Sequence, residues 1–138
     1  MLIWRFKTVQ LSSGRNDVQS EIDEYDDYAR EAFSRAVAHL SVTSKGEWQS
    51  PQAKKLVGQD PIYEIRYKAN NRQTRALGFF QDVENAFIIA LICYHKDRVY
   101  KPAGAFKSAH QRIARVAQGS AYTVPLKIFG EDFPSIEE

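Results

Sequence analysis

The residues best suited to chemistry lie between Ile62 and Pro102, where Arg66, Lys68, Arg75, Lys96 and Arg98 recur at points where strands should start or end. The segment reads Ile62-Tyr-Glu-Ile-Arg-Tyr-Lys, then a polar turn, then Gln73-Thr-Arg-Ala-Leu-Gly-Phe-Phe. An acidic turn leads into Ala86-Phe-Ile-Ile-Ala-Leu-Ile-Cys-Tyr-His-Lys and Asp97-Arg-Val-Tyr-Lys-Pro. Cations gathered on one side of a small sheet make a surface for phosphate. Such a surface can hold RNA or cut it. Cutting without metal requires the 2′-hydroxyl to lose a proton, the phosphorane to be stabilised, and the 5′-oxygen to leave with a proton. General acid–base help contributes roughly 100- to 10,000-fold. Arg66 and Arg75 stay charged and can grip phosphate through paired hydrogen bonds. Lys68, beside two arginines, would feel like-charge repulsion that suits it to act as a base.

Charge along the chain supports a local polyanion site. Residues 62–118 carry 10 Lys/Arg against 4 Asp/Glu, while residues 1–61 carry 8 against 9 and residues 119–138 carry 1 against 4. A basic block inside a near-neutral chain points to one binding region, although solvated surface cations fit the same count. There is no Gly-rich phosphate loop, no Cys/His metal spacing and no Ser-His-Asp arrangement, so neither a metal nor a cofactor is expected. His39 and His110 fall on helices far apart in sequence. Cys93, the single cysteine, excludes an internal disulfide, suits a reducing cytoplasm, and sits in an apolar run as an inert buried thiol. The longest apolar run, Ala86 to Cys93, is too short to span a bilayer, so no membrane partner is expected.

The elements that must position these residues follow from periodicity. Residues 2–9 alternate as a strand, with Leu2, Trp4 and Phe6 on one side. A long helix is predicted over residues 17–41, capped by Asn16 or Asp17 and buried through Ile22, Tyr25, Phe33 and Leu40. Its acids from Glu21 to Asp27 read as a solvated face. Ser50-Pro51 predicts a short helix to Val57. Strands are predicted over 62–68, 73–81 and 86–96, the last central and covered on both faces. Asn70-Asn71 supplies a hairpin turn. A helix over 102–118 follows, and Tyr122 to Phe129 can form an edge strand. The expected fold is one α+β domain over residues 1–138, with a 119–138 tail. Its mostly antiparallel four-stranded sheet carries helices on one face, in the order β-α-α-β-β-β-α.

That order and the stretches Tyr63-Glu-Ile-Arg-Tyr-Lys, Thr74-Arg-Ala-Leu-Gly-Phe-Phe, Ile92-Cys-Tyr-His-Lys and Lys101-Pro resemble the RelE/ParE toxin superfamily. The likeness is greatest to its phage-derived RelE-like, HigB-type branch, and it covers about 45 residues, with the tail after Gly119 outside it. The resemblance implies a type II toxin: a cytoplasmic, ribosome-dependent endoribonuclease that cuts mRNA on the ribosome and is restrained by a cognate antitoxin protein. It implies catalytic roles for Lys68, Arg75, Lys96 and Tyr100, with Arg98 or His95 as substitutes near the strand end and Asp97 near a base position. RNA contacts would come from Arg66, Arg72, Arg98, Arg112 and Arg115. Each has a plain alternative. Glu64 shares a strand face with Arg66 and can pair with it, Lys68 and Arg72 can be solvated turn residues, Lys96 can snorkel to water, and Arg112 and Arg115 can face solvent. The alternative function is a non-catalytic binding module of the same fold, either a gyrase-directed relative or a phage protein that binds a partner. Convergence of Lys68 and Arg75 on an open surface favours the nuclease. Pairing of their heads with Glu64 or Asp97 favours the binding module.

Overall fold

The structure is a computed structural model that describes residues 2–134. Strand β1 (Arg5–Leu11) is followed by α1 (Asp17–Asp23), α2 (Asp27–Ser41) and a short strand β2 (Ala53–Lys55). Then come β3 (Tyr63–Ala69), β4 (Arg72–Gln81), β5 (Ala86–Lys96), β6 (Val99–Lys101) and α3 (Ala105–Ala117). The chain ends in β7 (Ala121–Pro125) and a small hairpin of β8 (Lys127–Ile128) and β9 (Glu131–Asp132). The main sheet runs β2-β3-β4-β5-β1-β7, with β6 also on β5. It is thus α+β as expected, but it has seven strands, and β1 runs parallel to β5 while every other pairing is antiparallel.

Three further expectations change. The helix over 17–41 is two helices. Asn16 caps the first, its side chain accepting from Gln19 N at 3.0 Å. Asp26 starts the second by accepting from Ala29 N at 2.8 Å. A good N-cap residue inside a helical run competes with continuation, because it satisfies the orphan N–H groups of a new start. The segment 51–57 forms no helix, and its residues 53–55 are strand: Ala53 pairs with Ile65 and Lys55 with Tyr63. The open edge of β3 offers this segment a ready ladder. Helices also cover both faces of the sheet. Val18, Ile22, Phe33, Val37 and Leu40 pack with Phe6, Ile65, Tyr67 and Phe87 on one face. On the other face Ala105 and Ala109 of α3 meet Leu77 and Cys93, while Ile88 and Ala90 form a neighbouring cluster. Strand β5 lies between β4 and β1 and is buried on both sides, as its unbroken apolar run requires.

On the α2 side, Trp4, Trp48, Tyr63, Phe80 and Phe87 interlock with ring centroids 4.6–4.9 Å apart in the closest pairs. Each fully buried aromatic or large aliphatic side chain stabilises the fold by roughly 1.5–3 kcal/mol. On the other side α3 is tied down by Arg112. Its Nη1 donates to the carbonyl of Ala90 at 2.8 Å, and its Nη2 donates to Asp17 Oδ2 at 2.5 Å. That carbonyl lies where the β4–β5 register slips between Leu77 and Gly78. At the slip, Gly78 leaves no space: a Cβ there would stand 2.2 Å from the Ile88 carbonyl oxygen and 2.6 Å from Phe87.

Gly78→Ala is therefore expected to cost about 3 kcal/mol, the upper range for overpacking, because the nearest atom is backbone and cannot rotate away. Urea unfolding measures this, and an unchanged midpoint would show that the bulge relaxes freely. Asp17 gives a second test. A hydrogen bond from Arg15, assisted by the charge of Arg112, holds its carboxyl below the usual range. A depressed carboxyl stabilises the fold above its unfolded value near ~3.9, and this contribution is lost as pH falls through the folded value. Asp17→Asn should flatten the acid limb of the stability curve below about pH 4, leaving the neutral region pH-independent.

Candidate anion-binding site

Two tight hairpins stand side by side at one end of the sheet. The β3–β4 turn holds Asn70 and Asn71 at φ 53° and 60°, and the β5–β6 turn holds Asp97 and Arg98 at 52° and 66°. Two successive left-handed residues are the turn geometry that matches strand twist, and Asn and Asp adopt it readily. Arg98 has no such ease, so its turn is held by the ladder Lys96–Val99 and His95–Tyr100 on either side.

Register decides which candidate residues share a face, since neighbours opposite one another point the same way and successive residues alternate. Arg66 faces Arg75, which faces Cys93. Lys68 faces Gln73, which faces His95, which faces Tyr100. These residues lie on the α3 side with Glu64. Arg72 faces Ala69, and Tyr94 faces both Thr74 and Lys101. Arg72, Tyr94, Lys96 and Lys101 therefore lie on the α2 side. Of the four residues assigned catalytic roles, Lys68, Arg75 and Tyr100 share a face and Lys96 is on the other.

The α3-side group converges on Glu64, which is 0% exposed. Arg66 Nε donates to Glu64 Oε2 at 2.6 Å, and Arg66 Nη1 donates to Ser50 Oγ at 3.0 Å. The Tyr100 hydroxyl donates to Glu64 Oε1. Arg75, only 8% exposed, places Nε 3.6 Å from Glu64 Oε2, an ion pair too long for a hydrogen bond. Its Nη1 donates to the Thr74 carbonyl at 3.0 Å, while its Nε is buried without a hydrogen-bond partner. Two guanidinium groups thus face one carboxylate, which leaves a formal excess of positive charge beneath α3. The Phe106 ring of α3 packs on Tyr100 at 4.6 Å, and the tilted ring of His95 packs on Tyr100 at 4.8 Å.

Protonation follows from this packing. Burial, then the Glu64 carboxylate as acceptor and as charge, raises the Tyr100 phenol well above its ordinary value. Its proton is committed to Glu64, so a phenolate there would stand against a carboxylate. Burial pushes the Cys93 thiol up to about 12, with Glu64 adding to the shift and Arg75 opposing it. A thiol so placed is no nucleophile.

The remaining cations are open. Lys68, Arg72, Lys96, Arg98 and Lys101 are exposed, and among the described residues none forms an ion pair. Arg72 lies over the Tyr94 ring at 4.5 Å. A cavity of about 680 Å³ opens between the hairpins, lined by Arg72, Tyr94, His95, Lys96 and Lys101. Arg115 is exposed on the outer side of α3. The head of Arg112, also expected to contact RNA, donates to Asp17 and to the Ala90 carbonyl, and its side chain is partly exposed. Tyr94 and Lys101 escaped the sequence reading as site residues. Their signal was the strand parity that sets both beside Arg72.

If Glu64 holds this face together, Glu64→Leu should destabilise the protein by roughly 3–5 kcal/mol, because it strands the buried Arg75 and the half-buried Arg66. Glu64→Gln, which still accepts from Tyr100 and Arg66, should cost less. Chemical denaturation separates the two, and equal small losses would mean that the cluster is energetically idle. Comparison of the chain with known protein families, with curated proteins and with solved structures gives no match.

Proposed function

We propose that the protein is a RelE-like toxin that binds mRNA at the cationic end of the sheet and cuts it without a metal ion. The observation that carries the binding part is the gathering of five exposed cations, free of ion pairs among the described residues, around two adjacent hairpin tips. Cations placed this way hold a phosphate backbone through charge and make binding salt-dependent. The cleavage part rests on the residue resemblance and on the shared face of Lys68, Arg66 and Arg75. Lys68 is exposed at the rim and serves as the base. Arg75 offers a buried, unpartnered Nε to a phosphoryl oxygen, and Arg66 supplies a second donor. Tyr100 acts here as the anchor of Glu64, since its proton is engaged in that hydrogen bond, and the proton for the leaving oxygen comes from His95, half-buried on the same face as Lys68.

Arg75 is only 8% exposed, so RNA reaches its Nε only when the residues around it move aside. A cognate antitoxin fits the same reading: an acidic segment laid over the cationic end would exclude RNA. Action on ribosome-bound mRNA would place the protein in the cytoplasm. Among the described residues, no helix is long and apolar enough to cross a membrane.

A second reading has its own support. The pairing of Arg66 and Arg75 with Glu64 is the arrangement expected of a module that binds without cutting. Single-turnover cleavage of ribosome-bound mRNA decides between them. Lys68→Ala leaves the buried cluster intact and should slow cleavage about 100- to 1000-fold if Lys68 is the base. Arg75→Lys keeps the charge but loses the planar fork, and should lose a comparable factor at unchanged RNA affinity. Full activity in both variants, or wild-type protein that neither arrests growth nor generates new RNA 5′ ends on induction, leaves the binding module.

A further inference from the structure

At the hairpin end of the sheet two cavities share Arg72 and Tyr94 in their linings. One, of about 340 Å³ on the α2 side, is lined also by Glu21 and Glu24. The other, of about 680 Å³ at the sheet end, is lined also by Lys96 and Lys101, with Asp97 and His95 at its turn. We propose that the two cavities together form a nucleotide site, with phosphate at Lys96 and Lys101, the base stacked on the Arg72–Tyr94 pair, and Glu21 and Glu24 receiving donors from the base.

Each part of the site has matching chemistry. Lys96 and Lys101 are exposed cations without an ion pair among the described residues. The Arg72 guanidinium is seated over Tyr94 at 4.5 Å, and both residues line both cavities. Unpaired bases stack on aromatic rings and on guanidinium planes of this kind. Glu21 accepts the Tyr25 hydroxyl on Oε2 at 3.2 Å, and its other oxygen makes no hydrogen bond among the described residues. Tyr25 in turn is held by Tyr67 at 2.8 Å, which fixes that wall. A carboxylate accepts hydrogen bonds and donates none when ionised. It therefore suits a base edge that carries adjacent N–H donors, and guanine is the standard base with a ring N–H next to an exocyclic amino group. The Arg72–Tyr94 pair is common to both cavities, with the cations in one and the acceptors in the other, and each cavity falls within the range of about 300–1,000 Å³ typical of small-molecule sites. The ligand is a guanine nucleotide, either free or as one unit of an RNA strand.

Isothermal titration calorimetry of the full chain tests this without any cleavage step, so its result is separate from that of the nuclease reading. Guanosine monophosphate should bind more tightly than adenosine monophosphate and than inorganic phosphate. Arg72→Ala, at an exposed turn position, should weaken binding about tenfold or more through lost stacking. The double substitution Lys96→Ala, Lys101→Ala should weaken the monophosphate while sparing guanosine. Glu21→Gln should erase the preference for guanine over adenine, and Lys107→Ala on the outer side of α3 should change nothing. A guanosine-containing RNA trinucleotide that binds far more tightly than the monophosphate identifies an RNA strand as the source, and equal affinity identifies the free nucleotide. Monophosphate binding no tighter than inorganic phosphate, or unchanged by Arg72→Ala, overturns the proposal.

Discussion

Glu64 is a fully buried carboxylate in a strand of the main sheet, and the α3 side of the molecule is organised around it. An ionised carboxylate removed from water is costly unless it is paired and hydrogen-bonded. Here Arg66 from the same strand, Arg75 from the next strand and Tyr100 from β6 meet that demand together. The interaction therefore ties β3, β4 and the β5–β6 hairpin at a place where α3 gives little apolar cover, since Ala105 and Ala109 are the buried residues of that helix. The same arrangement leaves Arg75 Nε buried 3.6 Å from Glu64 without a hydrogen-bond partner.

The two faces of the sheet divide the work. The α2 side carries the large aromatic core over most of its area and has a cavity at the hairpin end, at the Arg72–Tyr94 stack. The α3 side is thinner and more polar, and Arg112 fastens its helix at a bulge carbonyl and at Asp17. Period-two alternation does this sorting. Cations that look like one cluster in the sequence become two groups back to back, because Lys68 and Arg75 have the opposite parity to Arg72 and Lys96 once the strands are paired.

Much of this was legible beforehand. The β5 limits of Ala86 and Lys96, the Asn70-Asn71 hairpin, the Asn16 cap and the burial of Phe33 and Leu40 follow from local pattern alone. The pairing of Glu64 with Arg66 followed from their shared strand face. What local pattern missed depends on partners remote in sequence. Residues 53–55 form a strand because β3 has an edge to fill. Asp26 breaks the long helix because a capping side chain competes with continuation. Arg112 is consumed by Asp17, 95 residues away. Helices on both faces, and the parallel seam between β1 and β5, likewise appear only when distant segments are placed together.

That seam bears on how the chain reaches its fold. Phe6 of β1 is matched with Phe87 of β5, 87 − 6 = 81 positions later, and Gln10 with Tyr122 of β7, 122 − 10 = 112 positions later. During synthesis, β1 emerges first and waits for both partners. The aromatic residues Trp4 and Phe6 stay without their strand neighbours until most of the chain has been made. Pairings so distant in sequence close late and slowly, because loop entropy must be overcome before any contact rewards it. The hairpins β3–β4 and β4–β5 involve only neighbouring strands and can form on their own. Sequence separation thus favours assembly of the basic end of the sheet before β1 docks between β5 and β7.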